Sequence, residues 1–158
     1  MNPMAGSIHT YMTVIGMVSI SEDGEGNING VYLPNCNLPV MEDRATDILD
    51  EAAGQIEEYF LRKRKEFELP LVTEGTEFQK QVWDVIAEIP YGETRTYSEV
   101  AGTIGNRNSY RAVGTACGLN PLPIIIPCHR VISASGVGMG YVGGSILKKR
   151  LLSMERGE

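Results

Sequence analysis

Three successive residues late in this 158-residue chain, Cys128, His129 and Arg130, put a thiol, an imidazole and a guanidinium side by side after Pro127. Neighbouring cations lower a thiol's pKa from about 8.5 and raise its thiolate fraction, so Cys128 is expected to be an ionised nucleophile. Successive side chains of an extended segment point to opposite faces, which means His129 reaches the sulfur only through a water or a local turn. A nucleophile and its base generally need a third group to orient them. Glu155 is the candidate, with ordinary surface solvation as its alternative. The other cysteines, Cys36 and Cys117, read as small buried hydrophobes. With only two histidines, His9 and His129, and no C-x-x-C pair, neither a metal site nor a disulfide is expected.

The elements that must position these groups can be read around them. Ile124, Ile125 and Ile126 follow Pro121-Leu122-Pro123 and form an apolar run that predicts a buried strand delivering Cys128. Five glycines between Gly136 and Gly144, around Tyr141, predict a loop of unusual backbone angles or close approach to a ligand. Ser145 to Glu155 predicts a closing helix with Leu147, Leu151 and Met154 on one face. Upstream, Thr76 with Gln79 and Thr96 with Glu99 have the spacing of capping boxes, each opening a helix. The second helix ends near Gly105, and Ser109 is placed to cap a third, Tyr110 to Leu119. Two short helices joined by a polar turn match a helix-turn-helix. The third helix carries Ala112, Gly114, Ala116 and Gly118, either for tight packing on its neighbour or for close approach to a groove of nucleic acid, and Arg111 at its start can project outward.

The first part of the chain reads differently. Tyr11 to Ile20 and Ile28 to Leu33 are β-branched and apolar around the turn-rich Asp23–Asn27, which predicts a hairpin. Asp43 to about Phe67 predicts an amphipathic helix with Arg62, Lys63, Arg64 and Lys65 near its C-terminal end. Pro70 marks a boundary between an N-terminal lobe, residues 1–70, and a C-terminal domain, residues 71–158.

Composition limits the function classes. Apolar residues make up 42% and no apolar run approaches the roughly 18 residues of a membrane span, so no membrane partner is expected. The first twenty residues show no basic start and no small-residue cleavage pattern, which points to the cytoplasm. Net charge is −6, but it is uneven: residues 1–68 hold 12 acidic against 5 basic side chains, while residues 91–156 hold 8 basic against 3 acidic. The second half could therefore face a phosphate backbone, or simply carry solvated charge.

The run Asn120-Pro121-Leu122-Pro123-Ile124-Ile125-Ile126-Pro127-Cys128-His129-Arg130-Val131-Ile132, followed by Gly140-Tyr141-Val142-Gly143-Gly144, resembles the active-site signature of the O6-alkylguanine-DNA alkyltransferases. Phe78-Gln79-x-x-Val82-Trp83, Ile89-Pro90-Tyr91-Gly92-Glu93-Thr94 and Arg111-Ala112-Val113-Gly114 are similar to that family in the same order, so the likeness runs from about residue 74 to 156. The resemblance implies an α/β (α+β) chain: a small N-terminal α/β lobe of ribonuclease-H-like topology, then a mainly helical domain with a helix-turn-helix and the active-site strand-turn. It implies transfer of an alkyl group from O6 of guanine in double-stranded DNA to Cys128, once per molecule and without a cofactor, by a monomer. His129 would activate Cys128 through water and Glu155 would hold His129. Tyr97 would donate to the departing guanine at N3, and Arg111 would fill the stack vacated by the flipped nucleotide. Asn120 would link the recognition helix to the active-site turn. Backbone carbonyls of Cys128 and Val131 would contact the guanine amino group, Tyr141 would line the pocket, and Gly114 would lie on a helix entering the minor groove. Val142 stands where many relatives have serine, which removes a hydroxyl near O6 and leaves a backbone amide as donor.

Two other classes fit parts of the same pattern. A DNA-binding lesion sensor or regulator of the same family would use the helix-turn-helix without consuming Cys128, and a cysteine hydrolase would turn over repeatedly.

Overall fold

The computed structural model describes residues 5–136 and 141–158, and the chain divides into two compact units, Met1–Thr73 and Glu74–Glu158. In the first unit, β1 (Ser7–Thr13) and β2 (Gly16–Glu22) pair antiparallel from Ser7↔Glu22 to Thr13↔Gly16, so a two-residue turn splits the stretch expected to be one strand. Gly16 accepts the positive φ of 113° that this tight turn imposes. β3 (Ile28–Tyr32) pairs antiparallel with β2, and β4 (Glu42–Asp43) lies parallel to β1, giving the order β3-β2-β1-β4. Helix α1 (Asp47–Phe60) packs on β1, β2 and β3, burying Leu49, Ala52, Ile56 and Tyr59 against Val18, Ile20 and their neighbours.

Helix α1 is shorter than its periodicity suggests. Arg62 adopts a left-handed φ of 62°, and the amides of Arg62 and Lys63 turn back to the carbonyls of Tyr59 and Glu58 in a Schellman termination. The basic run Arg62–Lys65 therefore follows the helix instead of occupying its last turn. Beyond it the chain returns to the sheet, where Ile28 bonds the backbone of Pro70 and Val72 at 2.8 and 3.0 Å.

The second unit contains α2 (Glu77–Ala87), β5 (Arg95–Thr96), α3 (Tyr97–Ile104), α4 (Tyr110–Gly118), β6 (Val131–Ile132) and α5 (Ser145–Glu155). Both expected capping boxes are formed, Thr76 with Gln79 and Thr96 with Glu99. Helix α3 ends at Gly105, whose φ of 117° only glycine adopts without strain, and a 3₁₀ turn, Arg107–Ser109, leads into α4. The helix-turn-helix is thus present, with one correction: Ser109 makes no side-chain cap, and Asn106 instead accepts from the amide of Asn108. The Trp83 indole donates to the carbonyl of Ala116 at 2.9 Å, tying α2 to α4.

Ile124–Ile126 is buried as expected but is no strand. Prolines at 121, 123 and 127 remove the donors a ladder needs, and the segment closes into a turn in which the Ile126 amide bonds Leu122 O at 2.8 Å. Ile124 sits at a φ of 76°, a strained conformation for a β-branched residue. The true strand is β6, and it pairs parallel with β5 through Arg95↔Val131 and Thr96↔Ile132. Tyr97, the first residue of α3, is thereby brought next to the turn that precedes β6. Helix α5 has the expected bounds but a different inner face: Lys148, Leu151, Leu152 and Glu155 are buried, while Leu147 and Met154 are half-exposed. Part of the glycine-rich loop, residues 137–140, lies outside the described residues. Among the described residues no helix is long and apolar enough to cross a membrane.

Candidate active site

Cys128 opens a 3₁₀ turn, Cys128–Arg130, and this local turn replaces the extended geometry expected around it. The residue is 3% exposed, and its sulfur accepts a hydrogen bond from Asn120 Nδ2 at 3.2 Å. The same amide nitrogen donates to Ile126 O at 2.9 Å, and Asn120 Oδ1 accepts from the Leu122 amide at 2.9 Å. One side chain just beyond α4 therefore closes the loop over residues 120–126 and touches the thiol.

His129 is fully buried, with Nε2 2.7 Å from Glu155 Oε2. Arg130 grips the same carboxylate with two donors, Nε to Oε1 at 2.8 Å and Nη2 to Oε2 at 3.0 Å, while Nη1 donates to Ile89 O at 2.7 Å. The Gly92 amide adds a bond to Glu155 Oε1 at 3.3 Å. Glu155 is thus an interior anchor joining α5, the Cys128 turn and the segment after α2, and its solvated alternative is excluded. Tyr141 packs edge-on against His129, with ring centroids 6.2 Å apart.

On the other side of the turn, Lys148 Nζ donates to Val131 O at 2.7 Å and stands 3.5 Å from Tyr97 Oη. Burial pushes the Tyr97 phenol up to about 12, with the thiols of Cys117 and Cys128 adding to the rise. Such an arrangement offers a thiol, a buried base with an anionic orienter, and a phenolic acid around one turn.

The sequence from residue 77 to 157 matches the model of the DNA-binding domain of 6-O-methylguanine DNA methyltransferase. The chain belongs to this family. It is 55% identical over 105 residues to the methylated-DNA–protein-cysteine methyltransferase of Methanosarcina barkeri, covering 66% of each chain, just under two thirds of that relative's length. Against the constitutive enzyme of that name from Bacillus subtilis it is 46% identical over 116 residues, 73% of this chain and 70% of the relative. The structure of Mycobacterium tuberculosis OGT in complex with DNA superposes with a TM-score of 0.89 at 37% identity, covering 96% of this chain and 93% of that one. The mixed α/β fold is therefore that of a 6-O-methylguanine DNA methyltransferase over both units.

Within this methyltransferase framework the remaining site residues fall in two places. Arg111 is exposed on α4 together with Ala112, Thr115 and Gly118, so small residues do line an open face of the helix. Gly114 is not on that face: it looks toward Tyr97, whose ring lies 3.8 Å from where a Cβ would stand, and Ala116 is buried beneath Trp83. Packing and exposure thus divide the four small residues between them. Val142 is 37% exposed, beside buried Tyr141.

Two electrostatic expectations are corrected. Burial pushes the Cys128 thiol up to about 11 instead of down, against the pull of the Asn120 hydrogen bond and of the Lys148 charge. Arg130 is not the cation that acts on the sulfur, because its guanidinium is committed to Glu155 and Ile89. Lys148, counted by sequence among charges available to DNA, was missed as a site residue; its position two turns before Glu155, on a face otherwise formed by Leu151 and Leu152, was the available signal. Since Arg130 and Lys148 are both buried, the basic surplus that can face a phosphate backbone is smaller than the sequence suggests. Cys117 is buried as expected, whereas Cys36 is half-exposed.

Proposed function

We propose that this protein repairs double-stranded DNA by taking an alkyl group, methyl above all, from O6 of guanine onto Cys128, once per molecule. The observation that carries this reading is the convergence of Cys128, His129 and Glu155 on one turn, with Tyr97 held beside it, in a chain of the methyltransferase family. All these groups come from a single chain, so a monomer suffices, and the cytoplasm is its setting.

The burial of the thiol sets the order of events. At neutral pH Cys128 is protonated, so ionisation needs a base. Burial holds His129 below the ordinary histidine range despite the opposing pull of Glu155, which keeps the imidazole neutral and able to accept. With Nε2 engaged by Glu155, Nδ1 takes the thiol proton through water, and Glu155 stabilises the imidazolium that results. The lesion must leave the stack to present its alkyl carbon, at a cost of a few kcal/mol that a damaged pair reduces. The thiolate then forms an S–C bond, the C–O6 bond breaks, and its electron pair passes to the guanine ring. Tyr97 donates its phenolic proton to guanine N3 and regains one from the His129 imidazolium through solvent. Thiol and alkylguanine become thioether and guanine, with no proton gained or lost.

On the DNA side, Arg111 and the open face of α4 enter the minor groove, Arg111 occupying the emptied stack. Val131 O already accepts from Lys148, and a carbonyl has a second lone pair for the guanine amino group, as does Cys128 O. Tyr141 and the backbone of Val142 line the pocket, and Gly114 lies on the helix that enters the groove.

Intact-mass measurement after incubation with duplex DNA containing O6-methylguanine tests the reading. A gain of one methyl on the wild type and none on Cys128→Ser is the expected result. No adduct on the wild type, as for a lesion sensor, or release of guanine continuing linearly beyond one equivalent, as for a hydrolase, would overturn it. Arg111→Ala should slow transfer from duplex DNA far more than from a free O6-alkylguanine base.

A further inference from the structure

Lys148 is a buried charge beside this site that the reaction as written does not use. Its side chain is 1% exposed, yet it carries an ammonium on a helix whose other inward residues are Leu151, Leu152 and Glu155. Burying an amine is costly unless its charge is used, and among the described residues it meets two hydrogen-bond acceptors, Val131 O at 2.7 Å and Tyr97 Oη at 3.5 Å. The second contact is long, and Nζ also lies 5.7 Å from the centre of the Tyr97 ring, so the cation flanks the phenol instead of being spent on it in the resting state.

We propose that Lys148 is a positioning residue for alkyl transfer: its buried cation stabilises first the Cys128 thiolate and then the Tyr97 phenolate, while its hydrogen bond fixes the Val131 carbonyl. This rests on the alkyltransferase reading and names the charge that reading leaves unbalanced. In the reaction negative charge appears first on sulfur and later on the phenolic oxygen, and Lys148 stands between the turn that carries one and the helix that carries the other. It stays an ammonium throughout, so the bond and proton balance given above is unchanged.

The charged and titratable groups around it are few. Cys128 and His129 face it from the turn, Tyr97 from α3 and Cys117 from α4, while Glu155 shares its own helix and Arg130 turns to Glu155 and Ile89. Glu155 is consumed by His129 and Arg130, and Arg130 by Glu155, so neither supplies a free charge to the sulfur side. The electrostatics agree in sign: the ammonium is held below its ordinary range by burial and pulled back up by Cys117 and Cys128, while Lys148 in turn lowers both thiols.

The test compares Lys148→Met, Lys148→Gln and Lys148→Arg in the full chain. Gln retains a donor for Val131 O and loses only the charge, so it serves if the Met variant does not fold. Alkylation of Cys128 by iodoacetamide against pH, followed by mass, reads the thiol without DNA. Both neutral variants should shift its midpoint upward by about one pH unit or more, equivalent to tenfold less thiolate at a given pH, and Arg should restore it. Single-turnover methyl transfer should fall by at least that factor and recover as pH is raised. Its loss should be smaller in a Tyr97→Phe background, because one of the two stabilised charges is then absent. A wild-type midpoint in a folded neutral variant, or a full and pH-independent rate loss in both backgrounds, would overturn the proposal. If the wild type itself transfers no methyl group, the alkyltransferase reading fails instead, whatever the thiol titration shows.

Discussion

The two units bury polar groups in opposite ways. In the first, ion pairs stay outside: His9 with Asp43, Arg44 with Glu42 and Arg64 with Glu58 all involve exposed or half-exposed side chains. Its buried carboxylate, Glu22, accepts from the amide and hydroxyl of Ser7, with no countercharge paired to it among the described residues, at the irregularity that ends the β2–β3 pairing. In the second, His129, Arg130, Lys148 and Glu155 are all buried beside a thiol. A hydrophobic replacement of a buried ion pair is often neutral or stabilising, so the second unit carries charges that its fold does not require. Their concentration around one turn is what supports the proposed site, and the first unit buries no comparable cluster among its described residues.

Breaking the interior network should give the largest effect. Glu155→Gln leaves Arg130 buried opposite a neutral amide and should lower stability by about 3–5 kcal/mol in denaturant unfolding, with methyl transfer slowed as His129 loses its orienter. A loss below about 1 kcal/mol would show that Glu155 is better solvated than its contacts indicate. Asn120→Ala removes the latch on the strained Ile124 turn and leaves two buried backbone groups with a partner fewer, at about 1–3 kcal/mol. Its effect should appear in unfolding midpoint and transfer rate together.

Acid should act on the second unit before the first. The pKa of His129 is lower in the folded chain than its unfolded value near 6.5. The stability this represents is complete above that unfolded value and is lost as pH falls through the folded one. Unfolding followed at pH 7 and pH 5 should show a loss that His129→Asn reduces, and equal losses in the two proteins would assign the acid sensitivity elsewhere. Thr96→Ala, which opens the capping box ahead of Tyr97, should cost about 1 kcal/mol. At the small end, Asp43→Asn breaks the exposed pair with His9 and should stay within about 1 kcal/mol by thermal or denaturant melting. If that change rivalled Glu155→Gln, the contrast between the units would be void.

How much was readable along the chain follows the same division. Capping boxes, helix periodicity and the Gly105 stop are local signals, and α2, α3 and the helix-turn-helix formed where they indicated. The family signature around Cys128 was equally legible, because it is a string of adjacent residue types. Failures occurred where a non-local partner decides. The stretch of residues 11–20 reads as one strand because Val14 and Ile15 are as β-prone as their neighbours; only pairing from Ser7↔Glu22 to Thr13↔Gly16 makes them a turn. Ile124–Ile126 has strand composition, yet its flanking prolines and the Asn120 latch fold it back.

The sequence by itself determined where most of the helices start, both capping boxes, and which residues are proposed as nucleophile and base, since each depends on residues within a few positions of one another. Only tertiary structure decided how those groups are charged. Whether Cys128 is a thiol or a thiolate, whether Glu155 is solvent-facing or interior, and whether Lys148 meets DNA or a phenol depend on dielectric surroundings and on partners many residues away. Burial and Coulomb interaction act through space, and no spacing along the chain encodes them.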